Sequence, residues 1–379
     1  MELYREGAPL EAPLLTLGAN EHMVLAFDLL ESEPRDLRWS LAHCDAAWRR
    51  DDLEPQEFMT GLHEGAITTY DFSFTTRTDY VHYRQTLPTD FAELTHSGNY
   101  ALTVVDEATG DTLLTRRFCV AEQVVRIDAE VGRPYDGINI DRRQEVDVCV
   151  SSREMALTMQ YLNVEVQQNG RLDNRRRLEF SGYDGQALCF RHRQCNIFDG
   201  GNTFRFFDMS NLRAPMYNVM GVKEYGGELM AIIRPCEDRS HSHYLSETTL
   251  NGGMKVNIWD RQNPALEADY VWVNLSLPAA QPSLEGSVYV VGALTDWQMD
   301  SASRMDYSPE RRAYTKRLLL KQGYYAYQLL VGGSPRHLSA TATYEGDHQE
   351  TPNTYTIYVY HRSPADRADR LLGVRKIVR

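Results

Sequence analysis

No stretch of this chain is long and apolar enough to cross a bilayer; the run of about 20 hydrophobic residues that a membrane helix needs is missing throughout. Direct helical insertion into a membrane is therefore excluded. The N-terminus, MELYREGAPL, has no charged start followed by an apolar core. Two readings follow: a cytoplasmic protein, or an exported one whose signal peptide has been replaced by Met1. Catalytic signatures are missing too. There is no GxSxG elbow, HExxH, GxxxxGK[ST] loop or GxGxxG fingerprint. Chemistry that needs only two carboxylates would leave no such motif, so the silence excludes the motif-bearing enzyme classes and no others. No CxxC pair occurs, which removes a zinc ribbon or a thioredoxin motif.

Positive charge is also short. Forty Lys and Arg stand against 53 Asp and Glu, a formal net charge of -13 across 379 residues. Such a chain repels nucleic acid and anionic lipid unless it carries a local basic stripe. The two basic clusters, Arg175-Arg176-Arg177 and Arg311-Arg312, sit beside acidic residues and read as solvated turns. Helical periodicity is scarce. The best helical segment runs from Asp52 to Leu62, with Asp51 or Asp52 as cap, Pro55 in the first turn and Leu53, Phe58 and Leu62 as apolar stripe.

What dominates is alternation. MVLAFDL, TTYDFSF, YALTVVD, EVDVCVS, YLNVEVQQ, YVWVNLSL, GSVYVVG, YYAYQLLV and TYTIYVY have period two and end in Gly, Asn, Asp or Pro. Turn signals such as Asn169-Gly170 and Gly252-Gly253 separate the runs. The pattern predicts an all-β protein of three tandem immunoglobulin-like β-sandwiches with few short helices. Punctuation near Gln123 and at RQNPALEAD places the boundaries at 1–122, 123–265 and 266–379.

Six cysteines permit disulfides in an oxidising compartment. Cys119 and Cys149 lie in strand-like runs and read as buried thiols; Cys189 and Cys195 are the preferred pair, across a hairpin. His241 and His243 share a strand face and could reach one ion, but their polar setting, CEDRSHSHYLSE, reads as a solvated loop. His43, Cys44 and Asp45 suggest a Cys–His nucleophile. Adjacent strand residues face opposite ways, however, so a core cysteine beside Trp48 is the favoured reading. Asp136 to Asp141, DGINID, lacks the full acidic spacing of a calcium loop and reads as a turn. No metal or cofactor is expected.

The segment from GSVYVVGALTDW through QGYYAYQLLVGG to NTYTIYVY resembles the glycogen-binding type of early-set domain, carbohydrate-binding module family 48. The resemblance implies an early-set sandwich at the C-terminus, with Trp297 stacking on sugar and Asn353 hydrogen-bonding it. The second sugar-stacking Trp of that family has no counterpart in GGSPRHLSAT, and structural packing of Trp297 is preferred.

Longer segments resemble a second family in order along nearly the whole chain: PLLTLGANEHMVLAFDLLESEPRDLRWSLAHCDAAWRRDDLEPQEF, YDFSFTTRTDYVHYRQTLP, GGNTFRFFDMSNLRAP, EADYVWVNLSLP and YEGDHQETPNTYTIYVYHRSPADRADRLLG. They are similar to the periplasmic plug of the type IX secretion translocon. The resemblance implies a non-enzymatic, periplasmic protein that closes the mouth of an outer-membrane β-barrel while no substrate-shuttle protein is engaged. It implies the barrel as partner, other translocon-associated periplasmic proteins as further partners, and no nucleic acid. The candidate contacts are Phe204, Arg205, Phe206, Phe207, Arg213 and Tyr217, since aromatic and Arg anchors concentrate binding energy; core strand is the competing reading for the Phe residues. A glycan-binding protein acting through Trp297 and Asn353 is the alternative.

Overall fold

The alternating runs become strands. The computed structural model describes residues 1–214, 216–332 and 340–379, and these are nearly all β, with two four-residue helices, Pro55–Phe58 and Pro264–Glu267. The helix expected over 52–62 shortens to one turn. Its cap is Glu54, whose N–H donates to the Glu57 carboxylate at 2.8 Å. The chain then leaves the helix because Met59–Thr60 pairs with Glu93–Leu94, and Leu62 is left 66% exposed rather than joining an apolar stripe.

In the first sandwich, one sheet runs in spatial order Glu2–Arg5, Met23–Leu29, Val81–Leu87, Tyr70–Phe72. The facing sheet runs Leu14–Thr16, Thr112–Ala121, Gly98–Asp106, Leu37–Cys44, Glu64–Ala66. Period-two alternation sends Trp39, Leu41, Tyr100, Leu102, Val104 and Phe118 inward from the second sheet against Leu25 and Tyr83 of the first. Fully burying each such side chain stabilises by about 1.5–3 kcal/mol.

The other two sandwiches are nested rather than tandem. The second builds one sheet from Arg126–Gly132, Arg143–Ser151, Ala187–Phe190 and Gly182–Asp184, with Ile197–Asp199 also on Arg143–Ser151. Its other sheet runs Arg175–Arg177, Leu162–Gln168, Thr354–His361, Arg370–Val378. The last two strands of the chain thus close the second core, where Tyr355, Ile357 and Val359 meet Val146, Val148, Val150 and Phe198. Residues 354–378 therefore belong by pairing with the second sandwich, not with a module spanning 266–379. The third sandwich lies between. Arg205–Asp208 and Met254–Val256 pair with Gly323–Gly332, as does Ser287–Val291; facing them are Val219–Tyr225, Glu228–Ile233, Tyr270–Pro278, Ala313–Lys321 and Asp306–Ser308. The punctuation at 261–268 marks the short helix Pro264–Glu267 inside this region and not a boundary at 265/266.

Two further expectations change. Cys149, not Cys195, is the partner of Cys189: the register sets Cys149 directly opposite Cys189, and the two form a disulfide, while Cys195 is a free thiol. The bond crosses two strands 40 residues apart in sequence, a pairing no local spacing announces. A Cys149→Ser, Cys189→Ser double variant is expected to lose about 2–4 kcal/mol of stability in urea unfolding; a midpoint unmoved from wild type would deny the bond a structural role. Arg175–Arg177 is an edge strand rather than a solvated turn. The guanidinium of Arg175 sits 4.5 Å over the Tyr358 ring and pairs with Glu165, and that of Arg176 sits 4.5 Å over Phe198. Arg311 and Arg312 do lie in an exposed turn.

Buried polar contacts clasp the three sandwiches to one another. Between first and second, Arg370 grips the Glu122 carboxylate at 2.6 and 2.9 Å, Tyr360 donates to Asn99 Oδ1 at 2.9 Å, and Cys119, Ala121, Tyr360 and Leu371 form a small apolar core. Between first and third, Lys321 Nζ reaches Asp28 at 2.6 Å, and the Arg77 N–H donates to Asp269 at 2.6 Å.

Candidate docking surface

Strand Arg205–Asp208 divides the six candidate contact residues by face. It pairs antiparallel with Gly323–Gly332, Phe206 opposite Ala326 and Phe207 opposite Tyr325. Arg205 and Phe207 point into the third core. Phe207 is fully buried and stacks on Tyr325 at 5.5 Å, and Arg205 reaches the buried Glu345 at 2.9 Å. Phe204 is buried too, edge-on to Trp297 at 6.1 Å. These three are structural and unavailable to a partner.

The remaining three lie outside the core, Phe206 and Tyr217 together and Arg213 on the loop between them. Phe206 lies on the outer face, stacked on Tyr324 at 5.4 Å and 6.1 Å from the Tyr217 ring. Tyr217 is 68% exposed. Its turn is held to the strand edge from both sides: the Asp208 N–H donates to the Tyr217 carbonyl at 3.0 Å, and the Asn218 amide donates to the Phe206 carbonyl at 2.8 Å. Asn218 takes a positive φ, which Asn tolerates, and so lets the turn close. The side chain of Arg213 is 83% exposed and lies 3.6 Å from Asp260. Asn211 accepts from the Arg213 N–H at 2.9 Å and so shapes the loop.

Sequence reasoning missed the neighbours of this corner. Trp259 is 67% exposed and anchored by its own N–H to the Ser210 carbonyl at 2.9 Å. Its signal was an isolated Trp inside polar punctuation, NIWD. Arg261, two residues on, donates to the Thr75 carbonyl at 3.0 Å. That bond leads to a row of exposed aromatics on the first sandwich: Tyr70, Phe72 and Phe74, at alternating positions along and just beyond an edge strand. Clustered exposed aromatics with an Arg are the composition of a protein-binding surface.

The other sequence candidates resolve differently. Asn353 is buried; its amide donates to Gln144 at 3.0 Å and to the Gly200 carbonyl at 2.6 Å, and its oxygen accepts from Asn169 at 2.7 Å. None of its polar atoms is offered to a sugar. Trp297 is half-buried and covers Gly252 so closely that a Cβ there would stand 2.2 Å from the ring. It packs rather than presenting a platform. Residues 333–339, most of the stretch that lacks the second sugar-stacking Trp, lie outside the described residues. His241 and His243 are exposed in a loop, and among the described residues no third ligand gathers with them. His43 is buried; its Nδ1 faces Asp51 at 2.5 Å and its Nε2 faces the Ser97 carbonyl at 3.1 Å. The ring therefore does not activate Cys44, whose thiol is pushed up by burial. DGINID is a turn, its Ile138 N–H donating to Asp136 at 2.9 Å.

The fold and this corner define an all-β protein of three clasped sandwiches with exposed aromatics at its surface. Residues 1–122 match the model of the type 9 secretion system plug protein 1st domain. A hypothetical protein from Parabacteroides merdae ATCC 43184 has the same structure along the whole chain: TM-score 0.95, 30% identity, covering 100% of this chain and 96% of that one. The match over residues 1–122 supports the type 9 secretion system plug protein family for this chain and with it a role in type IX secretion. Two further solved structures were matched with TM-scores too low to describe a shared fold. They are the C-terminal domain of the AgI/II polypeptide BspA from Streptococcus agalactiae (TM-score 0.18, 6% identity, 99% of this chain and 98% of that one) and dimeric latent PorU from Porphyromonas gingivalis (0.15, 11%, 100% and 33%). No curated protein sequence matches the chain.

Proposed function

We propose that this protein is a non-enzymatic periplasmic plug: it docks on the outer-membrane β-barrel of the type IX secretion translocon and closes its periplasmic opening when no substrate-shuttle protein is engaged. The observation that carries the reading is the plug-domain match over residues 1–122. The architecture supports it. Blocking a wide opening calls for a broad surface on a body that does not deform, and three sandwiches clasped by ion pairs at their junctions meet that need. The Cys149–Cys189 disulfide suits an oxidising compartment such as the periplasm. The contact surface is the corner formed by Phe206, Arg213 and Tyr217 with Trp259; other translocon-associated periplasmic proteins are further candidates for the same face.

The test is a pull-down of the tagged protein from outer-membrane extracts, beside a permeability assay for large antibiotics in cells lacking it. A very large β-barrel should co-purify, and permeability should rise. Unchanged permeability with no barrel recovered would overturn the function. A Tyr217→Ala, Arg213→Ala variant is expected to bind the barrel at least about 10-fold more weakly; wild-type affinity in that variant would move the docking surface elsewhere.

A further inference from the structure

We propose that Glu145, Asp147 and His192 form a binding site for one divalent cation of the zinc type, on the outer face of the second sandwich. Strand Arg143–Ser151 sends Val146, Val148 and Val150 into the core. Period two therefore puts Glu145, Asp147 and Cys149 side by side on the opposite face. Cys149 is bonded to Cys189 there, and the strand carrying Cys189 ends at Phe190, two residues before His192. The disulfide thus pins the imidazole-bearing segment next to the two carboxylates.

The donor atoms then converge. Main-chain N–H groups hold both carboxylates: Tyr135 donates to Glu145 Oε2 at 2.5 Å, and the His192 N–H is shared between Glu145 Oε1 at 3.1 Å and Asp147 Oδ1 at 3.2 Å. One oxygen of each carboxylate also faces the same ring nitrogen. Nδ1 of His192 lies 3.0 Å from Glu145 Oε1 and 3.5 Å from Asp147 Oδ2. A ligand atom from each of the three lies within 4.8 Å of the others. A tetrahedral ion with bonds of about 2.0–2.1 Å has edges of about 3.3–3.4 Å, which those two separations bracket.

Charge argues in the same direction. Glu145 and Asp147 have side chains only 3% and 12% exposed, so two like charges are placed together away from water. A single proton on Nδ1 can serve only one of the two oxygens, and an imidazolium supplies at most one positive charge against two negative ones. A divalent cation satisfies both carboxylates at once, and main-chain donors hold them as outer partners hold metal ligands. Calcium, which takes six to eight oxygens, is not matched by two oxygens and a nitrogen. The His192 side chain is 62% exposed, so the fourth position opens to solvent, to a water or to a partner's side chain. Bound there, the ion staples the segment around Tyr135 and the turn at His192 to the sheet.

The test uses the full chain, stripped with chelator and titrated with zinc chloride by calorimetry and by thermal melts. One equivalent should bind and raise the melting temperature. Glu145→Gln combined with Asp147→Asn, and separately His192→Asn (which suits the positive φ at that position), should weaken binding at least about 10-fold. The amide variants keep acceptors for the main-chain N–H groups, and circular dichroism of the metal-free forms verifies that they fold. His241→Ala with His243→Ala should leave the zinc titration unchanged. Absence of zinc binding by the wild-type chain, wild-type affinity in the Glu145/Asp147 variant, loss of binding in the His241/His243 variant, or calcium binding tighter than zinc would each overturn the assignment.

Discussion

The Glu345→Gln variant is expected to unfold with about 3–5 kcal/mol less free energy than the wild type. The Glu345 side chain is fully buried between two guanidiniums. Arg205 Nε donates to Oε1 at 2.9 Å, and Arg239 Nε donates to Oε2 at 3.0 Å. The Leu329 N–H adds a third bond at 2.8 Å. Arg205 comes from the first strand of the third sandwich, and Arg239 from the long loop that follows Glu228–Ile233. The carboxylate thus sits between two positive groups that it holds in place. Glutamine keeps the shape and removes the charge, leaving the guanidiniums to repel each other across a low-dielectric gap. Urea unfolding measures the loss; a deficit under about 1 kcal/mol would mean the cluster is solvated, as surface pairs are.

The same variant has a pH signature. Burial by itself would raise the Glu345 carboxyl, but Arg205 and Arg239 outweigh it and hold the group below the usual carboxylate range. A carboxyl depressed on folding stabilises fully above its unfolded value of about 4.3, and that contribution drains away as pH falls through the lower folded value. Wild-type stability should therefore drop on acidification below about pH 4, and the acid limb of Glu345→Gln should be shallower by up to about one proton.

Asp28→Asn is expected to cost about 3 kcal/mol and to loosen the first sandwich from the third. Asp28 accepts from His82 at 2.6 Å, from Lys321 at 2.6 Å and from the Tyr270 hydroxyl at 2.7 Å. Lys321 and Tyr270 belong to the third sandwich, so one carboxylate ties the two bodies. Burial again pushes its carboxyl up, and His82 and Lys321 more than reverse this. Asparagine offers one acceptor oxygen and no charge, which strands the Lys321 ammonium, 8% exposed, over the Tyr80 ring at 4.1 Å. Hydrogen exchange should quicken around Phe74 and Pro264–Glu267, where the Phe74 N–H bonds the Leu266 carbonyl across the junction. A double-mutant cycle with Lys321→Met isolates the pair. Additive effects within about 0.5 kcal/mol would show that Asp28 and Lys321 are not coupled.

Period-two runs bounded by Gly, Asn and Pro determined an all-β chain by themselves, because the pleat imposes that period whatever the partner strand. Asn169-Gly170 marked a turn, and both residues do take positive φ in the loop between Leu162–Gln168 and Arg175–Arg177. The plug-family resemblance was legible in the sequence too, and the family model supports it over residues 1–122. Only the tertiary structure decided which strand joins which sheet. TYTIYVY alternates as well for the second sandwich as for the third, and its place beside Leu162–Gln168 follows from a return of the chain over nearly 200 residues, which alternation does not encode. The disulfide followed the same rule, since Cys149 meets Cys189 through register. Register likewise separated the candidate contacts, turning Arg205 and Phe207 inward and leaving Phe206 with Tyr217 at the surface. Alternation states that neighbouring side chains point opposite ways; which of the two directions is inside depends on what the sheet is packed against.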